Sequence, residues 1–146
     1  DQLVYFRKAE SDTLKLRCSQ NDVISFVDLI KKSYEFQSKE QGIDFGFVHP
    51  DMKVLLWFDT KCMNIIFHNL ISNAFKYTPQ KGIIELEVKP MWKDQLRMAN
   101  IIVRDSGKGI PDEEKDQIFK RFFHGKERYS SGIGLHLSYT LIAAHN

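Results

Sequence analysis

The chain has 146 residues, of which 42% are hydrophobic and 27% are charged, and this composition is typical of one globular domain with a core of its own. It excludes a disordered chain, and no apolar run approaches the roughly 18 residues of a membrane-spanning helix. The formal net charge of +2 is too small to indicate a nucleic-acid partner. The two cysteines, Cys18 and Cys62, lack the spacing of a metal site and are expected to be reduced thiols.

The first elements are read from the spacing of apolar residues. Residues 1–12 are polar apart from one apolar patch, which predicts the end of a preceding helix or a linker, and 13–146 is predicted to be one domain. Alternation of apolar and polar residues predicts a short strand, carried by Leu14, Leu16 and Cys18. Helical spacing follows over 23–34, and Gly42 is expected to end that helix because glycine tolerates the left-handed conformation found there.

The middle of the chain predicts a long helix between pairs of strands. Strands are predicted at 43–48 and 54–58, on either side of a turn. The helix is predicted from about Thr60 to Tyr77, because its apolar residues share one stripe and Pro79 stops it. Two longer strands are predicted at 83–89 and 95–105, joined by a polar turn.

The order of elements predicts the fold class. Helices interspersed with strands that pair through short turns favour an α+β protein. We expect a two-layer α/β sandwich, in which a mixed, mostly antiparallel sheet is covered on one face by helices. The sequence stops directly after a last helix that carries Leu137 and Leu141. A helix with nothing to cover it predicts that further C-terminal strands of the sheet are missing.

Polar residues form a second stripe on the long helix. Asn69, Asn73, Lys76 and Tyr77 recur at helical spacing beside the apolar stripe. A carboxamide oxygen suits Mg²⁺, a lysine neutralises phosphate charge, and a tyrosine covers a flat ring. The alternative is a solvated helix face that carries two asparagines.

A glycine-bearing turn follows the strand predicted at 95–105. Asp105 has the parity of Ile101 and Val103, which places its carboxylate on the apolar face, where a buried charge needs a donor. The exocyclic amine of adenine is such a donor. Gly107 and Gly109 would let the backbone approach the ring. The alternative is an ordinary Asp-Ser-Gly turn.

A second glycine pair opens the last helix. Gly132 and Gly134 precede Leu135, and glycines at a helix N-terminus leave backbone N–H groups able to hold phosphate with help from the helix dipole. The alternative is a flexible loop before a helix. On its own, a glycine-rich loop is weak evidence for a phosphate site.

These three motifs and an aromatic segment at 118–123, taken in order, resemble the histidine kinase branch of the GHKL ATPase superfamily, which includes type II topoisomerases, a mismatch-repair ATPase and a heat-shock chaperone. The resemblance extends from about Leu14 to Asn146. The motifs that carry it are HNLISNAFKYTP at 68–79, DSGKGIP at 105–111, IFKRFF at 118–123 and GIGL at 132–135. The family fold is the Bergerat-type ATP-binding fold, and the implied ligands are ATP and Mg²⁺.

The resemblance implies roles for the residues at the matching positions. Asn73 would hold Mg²⁺, with Asn69 nearby on the phosphates or the ion. Lys76 would contact phosphate and Tyr77 would flank the nucleotide. The remaining implied ligand contacts are Asp105 on the adenine amine, Gly107, Gly109 and Ile110 around the base, Gly132 and Gly134 on the triphosphate, and Leu135 near the base. Phe119 and Phe122 would anchor a lid, His124–Ser131, and His124 could touch phosphate.

Two departures from the family pattern limit what the resemblance implies. The glycine series before the last helix begins with Ser130 where the family has glycine, which puts lid closure and nucleotide affinity in doubt. The family domain also continues with further strands beyond this point.

The residue one helical turn before the implied Mg²⁺ ligand distinguishes a kinase from a hydrolase. Hydrolysing relatives carry a glutamate one turn before the metal-binding asparagine, and this chain has Asn69 there. A carboxamide is no general base, so transfer of the γ-phosphoryl group to another nucleophile is favoured over hydrolysis. The alternatives are a GHKL-fold ATPase and an anti-sigma-type serine kinase or regulatory module.

For a histidine kinase, the nucleophile is a histidine on a separate dimerisation domain. None of the five histidines here has the sequence setting of such an acceptor. The resemblance therefore implies that domain and a response-regulator receiver domain as partners, within a homodimeric full-length protein. It also implies a cytoplasmic domain of a membrane-bound bacterial sensor protein, without direct contact to membrane or nucleic acid.

Overall fold

The computed structural model describes residues 2–11, 13–123 and 132–145. Among these residues it contains helices interspersed with strands. They are α1 Gln2–Glu10, β1 Ser19–Asp22, α2 Val23–Ser33, α3 Glu35–Gln41, β2 Asp44–Val48, β3 Leu55–Phe58, α4 Thr60–Tyr77, β4 Ile83–Lys93, β5 Leu96–Asp105, α5 Asp112–Lys115 and α6 Gly134–Ala143.

The chain divides into two compact units. The first unit comprises Asp1–Cys18, Phe58–Leu70 and Ile110–Asn146, and the second comprises Ser19–Trp57 and Ile71–Gly109. Helix α4 begins in the first unit and ends in the second.

The second unit contains the strands that pair into sheets. In the three-stranded sheet, β4 lies between β2 and β5. Strand β2 runs parallel to β4 over five residue pairs, whereas β5 runs antiparallel to β4 over ten. The sheet is therefore mixed and mostly antiparallel, as predicted. Strands β1 and β3 form a separate two-stranded sheet.

Helices cover one face of the larger sheet. Ile84, Leu86 and Val88 alternate along β4 and are almost fully buried, which is the two-residue period of a half-covered strand. Phe75, near the end of α4, stacks on Tyr34 with ring centroids 5.5 Å apart. Its ring also meets Phe45 of β2 edge-on at 5.3 Å. Because these rings join two helices to the sheet, they confirm the predicted helix-covered face.

The first unit is held together by helices. Phe6 of α1 is 6% exposed, and its ring lies edge-on to Phe122 and His136, with centroids 6.5 and 6.2 Å away. Leu137 and Leu141 of α6 are fully buried. These apolar contacts join α1 to α6 and to the segment that precedes residue 124.

Helix α4 begins at a capping carboxylate in the first unit. Asp59 Oδ1 accepts the N–H groups of Lys61 and Cys62 at 2.9 and 3.1 Å, which satisfies donors that the first helical turn leaves unpaired. The Nε2 atom of His145 accepts the N–H of Asp59 at 3.1 Å. The helix then runs to Tyr77, so its predicted bounds are confirmed.

The prediction of a strand at Leu14–Cys18 is wrong. Leu14 and Leu16 are half-buried in alternation with exposed neighbours, but the backbone there makes no ladder, and the strand is β1 at Ser19–Asp22. Asp22 explains the position of the strand. Its Oδ1 accepts Ile24 N–H at the start of α2 and Val54 N–H just before β3. Burial alternates at Leu14 and Leu16, but a strand also needs a neighbouring backbone to pair with.

The helix predicted over 23–34 continues as a second helix after a break. Helix α2 ends at Ser33, Tyr34 adopts φ −101° and ψ 0°, and α3 follows at once. Gly42 has φ 61° and caps α3, as predicted for a left-handed residue at a helix end. The strand predicted at 83–89 extends further, to Lys93, and turns into β5 through two left-handed residues, Asp94 and Gln95.

Candidate functional site

Four of the predicted ligand-contact residues lie on α4. Asn69 is 7% exposed, whereas Asn73 and Tyr77 are half-buried and Lys76 is exposed. Asn69 and Asn73 are one helical turn apart and therefore share a face. Within α4, residues up to Leu70 belong to the first unit and later ones to the second, so the two asparagines belong to different units.

In the second unit, Asp105 is the last residue of β5. It pairs in register with Ile84 and lies on the same face as Val103, as its parity predicts. The expectation of a buried carboxylate is wrong, because the side chain is exposed. The strand ends here, and Oδ1 accepts the N–H of Gly107 at 2.9 Å. The carboxylate thus closes a turn and remains open to a ligand at the end of the sheet.

The two glycines after Asp105 are required for different structural reasons. A Cβ on Gly107 would lie 2.6 Å from the carbonyl oxygen of Tyr77, so no side chain fits where the turn meets the end of α4. Gly109 has φ 71°, a left-handed conformation that favours glycine. The first glycine thus brings the Asp105 turn against Tyr77, and the second redirects the chain towards residue 110.

Two lysines surround the tyrosine at the end of α4. The Nζ of Lys76 lies 4.9 Å from the centre of the Tyr77 ring and donates to its hydroxyl at 3.2 Å. The Nζ of Lys108 lies 5.2 Å from the same ring centre. Two ammonium groups on one aromatic ring make this corner attractive to an anionic ligand. The sequence identified Lys76 but assigned no role to Lys108, because a lysine in a turn reads as ordinary surface.

In the first unit, Asn69 connects α4 to the beginning of α6. Its Nδ2 donates to the carbonyl oxygen of Gly134 and to Ser138 Oγ, both at 3.0 Å, and Ser138 Oγ donates to the same carbonyl at 2.9 Å. A Cβ on Gly134 would lie 3.3 Å from Asn69 Oδ1, a tight approach. The donor side of this amide therefore supports the fold, and a ligand contact from Asn69 would fall to Oδ1. Nothing in the sequence linked Asn69 to Ser138.

The aromatic segment before residue 124 is tied to α6. The Phe119 ring lies 5.6 Å from the Tyr139 ring, and the Phe119 carbonyl oxygen pairs with His136 Nδ1 at 2.9 Å. Phe122 adopts φ 56°, and its N–H donates to the carbonyl oxygen of Gly132 at 3.0 Å. The predicted lid, His124–Ser131, lies outside the described residues, and so does the expected phosphate contact of His124. The described residues on its two sides are thus joined by one backbone hydrogen bond.

The start of α6 lacks a side-chain cap. Its N-cap is Ile133, which has no polar side chain, so the first N–H groups of the helix gain no partner from it. Gly132 precedes it with φ 62°, and Leu135 is half-buried in the first turn. Ile110 and Phe119 are each 45% exposed. The start of α6 therefore offers backbone donors, and Ile110 and Phe119 offer apolar surface.

The described residues offer no metal cage made by protein side chains alone. Within 2–11, 13–123 and 132–145, no group of three or more His, Cys, Asp or Glu residues is placed to hold an ion. The side chain of Asn73 makes no hydrogen bond to any residue in these ranges. An ion at Asn73 would therefore draw most of its ligands from phosphate oxygen and water, which is the coordination that Mg²⁺ favours.

Comparison with known sequences identifies relatives over almost the whole chain. Residues 59–146 match the family of histidine kinase-, DNA gyrase B- and HSP90-like ATPases. Histidine kinase P4 of Formosa agariphila is 31% identical over 144 residues, which are 94% of this chain and 10% of that protein. Hybrid signal transduction histidine kinase D of Dictyostelium discoideum is 30% identical over 142 residues and 9% of its length. The chain thus spans about a tenth of these two curated relatives.

Solved structures share the fold. The catalytic domain of histidine kinase ThkA superposes with a TM-score of 0.79 at 23% identity, covering 88% of this chain and 83% of that domain. Full-length ShkA in complex with AMPPNP gives a TM-score of 0.81 at 22% identity, covering 98% of this chain and 29% of that protein. These likenesses confirm the predicted fold class. Among the described residues, no helix combines the length and the apolar character needed to cross a membrane.

Proposed function

This chain belongs to the histidine kinase-, DNA gyrase B- and HSP90-like ATPase family, and we propose that it is the Mg·ATP-binding catalytic domain of a two-component sensor histidine kinase. The γ-phosphoryl group of the bound ATP would pass to a histidine on a separate dimerisation domain. The observation that carries the proposal is the corner of the second unit where the Asp105 carboxylate and two lysines surround the end of α4. The relatives of the chain that are named as histidine kinases support this choice within the family.

The Asp105 turn fits the adenine base. Its carboxylate is exposed at the end of β5 and can accept a hydrogen bond from the exocyclic amine of the base. A side chain at Gly107 is excluded by the Tyr77 carbonyl, so the turn stays narrow there. Apolar contacts to the base would come from Ile110 and Leu135, and the Tyr77 ring would flank the nucleotide.

The phosphates fit the cationic and uncapped groups. Lys76 and Lys108 both lie within 5.2 Å of the Tyr77 ring centre and supply positive charge. In the first unit, Gly132 and Gly134 open α6, whose first N–H groups have no side-chain cap and suit phosphate oxygens. Phe119 and Phe122 would hold the segment that borders them.

Asn73 is the residue that would hold Mg²⁺, with Asn69 Oδ1 one turn away. Asn73 is half-buried and its side chain makes no hydrogen bond to the described residues, so its amide oxygen can serve a ligand at little cost. When bound, the ion would neutralise the charge on the phosphates. The residues present therefore fit the pair of ligands, ATP and Mg²⁺.

The absence of a carboxylate at position 69 favours transfer over hydrolysis. Both N–H groups of Asn69 are engaged by Gly134 and Ser138, and an amide cannot remove a proton from water. The chain would therefore position ATP for attack by an imidazole nitrogen. A phosphorus–nitrogen bond forms, the bond from the γ-phosphorus to the bridging oxygen breaks, and ADP leaves with that oxygen.

The partners follow from this chemistry. The acceptor would be a histidine-bearing dimerisation domain of the same protein, and the phosphoryl group would then pass to a response-regulator receiver domain. The full-length protein would be a homodimer, and this domain would act in the cytoplasm as part of a membrane-bound sensor.

Calorimetry tests nucleotide binding. Mg·ATP is titrated into the chain, into Asp105→Asn and into Asp94→Asn, a matched control at an exposed left-handed turn where asparagine is well tolerated. We expect the chain and the control to bind equally and Asp105→Asn to bind roughly 10- to 100-fold more weakly, as for a hydrogen bond to a charged group. A folded chain that binds no nucleotide at millimolar concentration contradicts the proposal.

Phosphotransfer separates kinase from hydrolase. The chain is incubated with labelled ATP and a histidine-bearing dimerisation domain, and acid-labile phosphate on that domain is measured. We expect labelled phosphohistidine that depends on the acceptor histidine. Release of inorganic phosphate at the same rate with and without the acceptor domain would identify a hydrolase instead.

A further inference from the structure

Thr78 carries a buried hydroxyl with no partner. Among the described residues, its Oγ1 is the buried side-chain polar atom that lacks a hydrogen bond, and the residue is 7% exposed. We propose that Thr78 Oγ1 is a binding group of the nucleotide site that hydrogen-bonds to the edge of the adenine ring beside Asp105. This inference rests on the proposed ATP-binding function and adds a residue to it.

The position of Thr78 places it under the Asp105 turn. It directly follows Tyr77, whose carbonyl oxygen lies 2.6 Å from the point that a Cβ on Gly107 would occupy. Its own Cγ2 lies 2.3 Å from the corresponding point on Gly82, and Ser106 Oγ lies 2.9 Å from that same point. All of these residues belong to the second unit. The side chain of Thr78 therefore lies between the end of α4 and the turn that carries Asp105.

The hydroxyl bonds to none of its usual local partners. A threonine in a helix commonly donates to the carbonyl four residues earlier, as Thr140 does to His136 O at 3.0 Å, but Thr78 Oγ1 makes no such bond to Ala74 O. The nearby Ser106 Oγ accepts the N–H of Ile83 at 2.8 Å. Burying an unpaired hydroxyl lowers stability, and valine would fill the same volume without that loss. A local choice that costs stability is characteristic of a position that serves a ligand.

The chemistry of the hydroxyl matches the base better than the phosphates. A neutral hydroxyl both donates and accepts, and the polar edge of adenine presents an acceptor nitrogen beside a donor amine. Asp105, an acceptor only, can serve the amine alone. The phosphate end is served by cations, and Lys76 and Lys108 provide them at the neighbouring Tyr77 ring.

The test compares Thr78→Val and Thr78→Ser with the unchanged chain and with Thr60→Val, a matched threonine control at the start of the same helix. Calorimetry measures the affinity for Mg·ATP and for inorganic tripolyphosphate, which lacks the base, and calorimetric melting measures stability. We expect Thr78→Val to weaken Mg·ATP binding roughly three- to tenfold and to leave tripolyphosphate binding unchanged. Thr78→Ser and Thr60→Val should bind ATP as the unchanged chain does.

The melting temperature distinguishes a ligand-binding hydroxyl from a structural one. Thr78→Val should melt at the same temperature as the unchanged chain or higher, because the variant removes an unpaired buried hydroxyl. Equal ATP affinities for Thr78→Val and the unchanged chain would overturn the inference alone. Equal losses for ATP and tripolyphosphate, or a lowered melting temperature, would do the same. An unchanged chain that binds no ATP would overturn the proposed function and this inference together.

Discussion

The end of β5 in the second unit and the start of α6 in the first use their polar groups in opposite ways. Around α6, polar groups bond to other groups of the protein. The Asn69 amide donates to the carbonyl oxygen of Gly134 and to Ser138 Oγ, and the Phe122 N–H donates to the carbonyl oxygen of Gly132. Around the Asp105 turn, the Asp105 carboxylate is exposed, and the Thr78 hydroxyl has no protein partner among the described residues. The difference indicates that Asn69 and Phe122 mainly support the fold, whereas the Asp105 turn leaves polar groups for the ligand proposed above.

The largest expected effect comes from adding a side chain to the Asp105 turn at Gly107. Gly107→Ala places a Cβ 2.6 Å from the Tyr77 carbonyl oxygen, so the turn must move away from α4. We expect a loss of about 1–3 kcal/mol in the free energy of unfolding, as for other overpacked sites, and loss of detectable ATP binding. Urea unfolding and calorimetry measure both. Gly46→Ala is the control, since its Cβ would meet nothing within 4 Å, and equal effects of the two variants would contradict the assignment.

The two asparagines of α4 should separate support from binding. Asn69→Ala removes hydrogen bonds to Gly134 and Ser138 and should lower the free energy of unfolding by about 1–3 kcal/mol. Asn73→Ala removes no side-chain hydrogen bond, so its free energy of unfolding should stay within about 0.5 kcal/mol of that of the unchanged chain. The variant should also abolish the Mg²⁺ dependence of ATP binding. Denaturant unfolding and titrations with and without Mg²⁺ measure the two effects. The comparison breaks down if Asn73→Ala proves the less stable variant.

The cap of α4 should make the first unit sensitive to acid. Burial alone would raise the pKa of Asp59, but hydrogen bonds from the N–H groups of Arg17, Cys62 and Lys61 hold it below its ordinary value. A lowered folded-state pKa stabilises the protein above the unfolded value of about 4, and this contribution is lost as pH falls through the folded-state pKa.

Thermal unfolding as a function of pH tests this cap. Asp59→Ala should cost about 0.5–2 kcal/mol near neutral pH, as for other N-caps, and the difference from the unchanged chain should shrink below about pH 4. Asp51→Asn, at an exposed position in the second unit, serves as the control. A difference that stays constant from pH 7 to pH 3 would show that the charge of Asp59 contributes nothing.

The smallest effect concerns the thiols of the first unit. Burial and the neighbouring Asp59 carboxylate raise the pKa of Cys62 to about 12, whereas Cys18 is exposed. Because the thiolate is the reactive form, iodoacetamide at pH 8 should modify Cys18 and leave Cys62 intact until the protein unfolds. Mass spectrometry of the labelled peptides measures this order, and labelling of Cys62 at the rate of Cys18 would show that this core opens readily.

Local patterns predicted much of the fold because they depend on near neighbours. The bounds of α4 follow from an apolar stripe ended by Pro79, and Gly42 caps α3 through its own backbone freedom. The α+β class and the mixed sheet followed from the order of such elements. Strand β1 escaped prediction because its position depends on Asp22, which accepts N–H groups of Ile24 and of the distant Val54.

The sequence alone identified the candidate ligand residues, because amide, carboxylate and glycine motifs in this order indicate which ligand groups they can bind before the fold is known. Tertiary structure alone decided how each is used. Parity placed Asp105 on the apolar face correctly, but exposure depends on where β5 ends. The side-chain amides of Asn69 and Asn73 have different roles, because the carbonyl oxygen of Gly134, 65 residues further along the chain, accepts a hydrogen bond from Asn69 and not from Asn73. Residue type sets what a group can bind, and long-range packing sets what remains for it to bind.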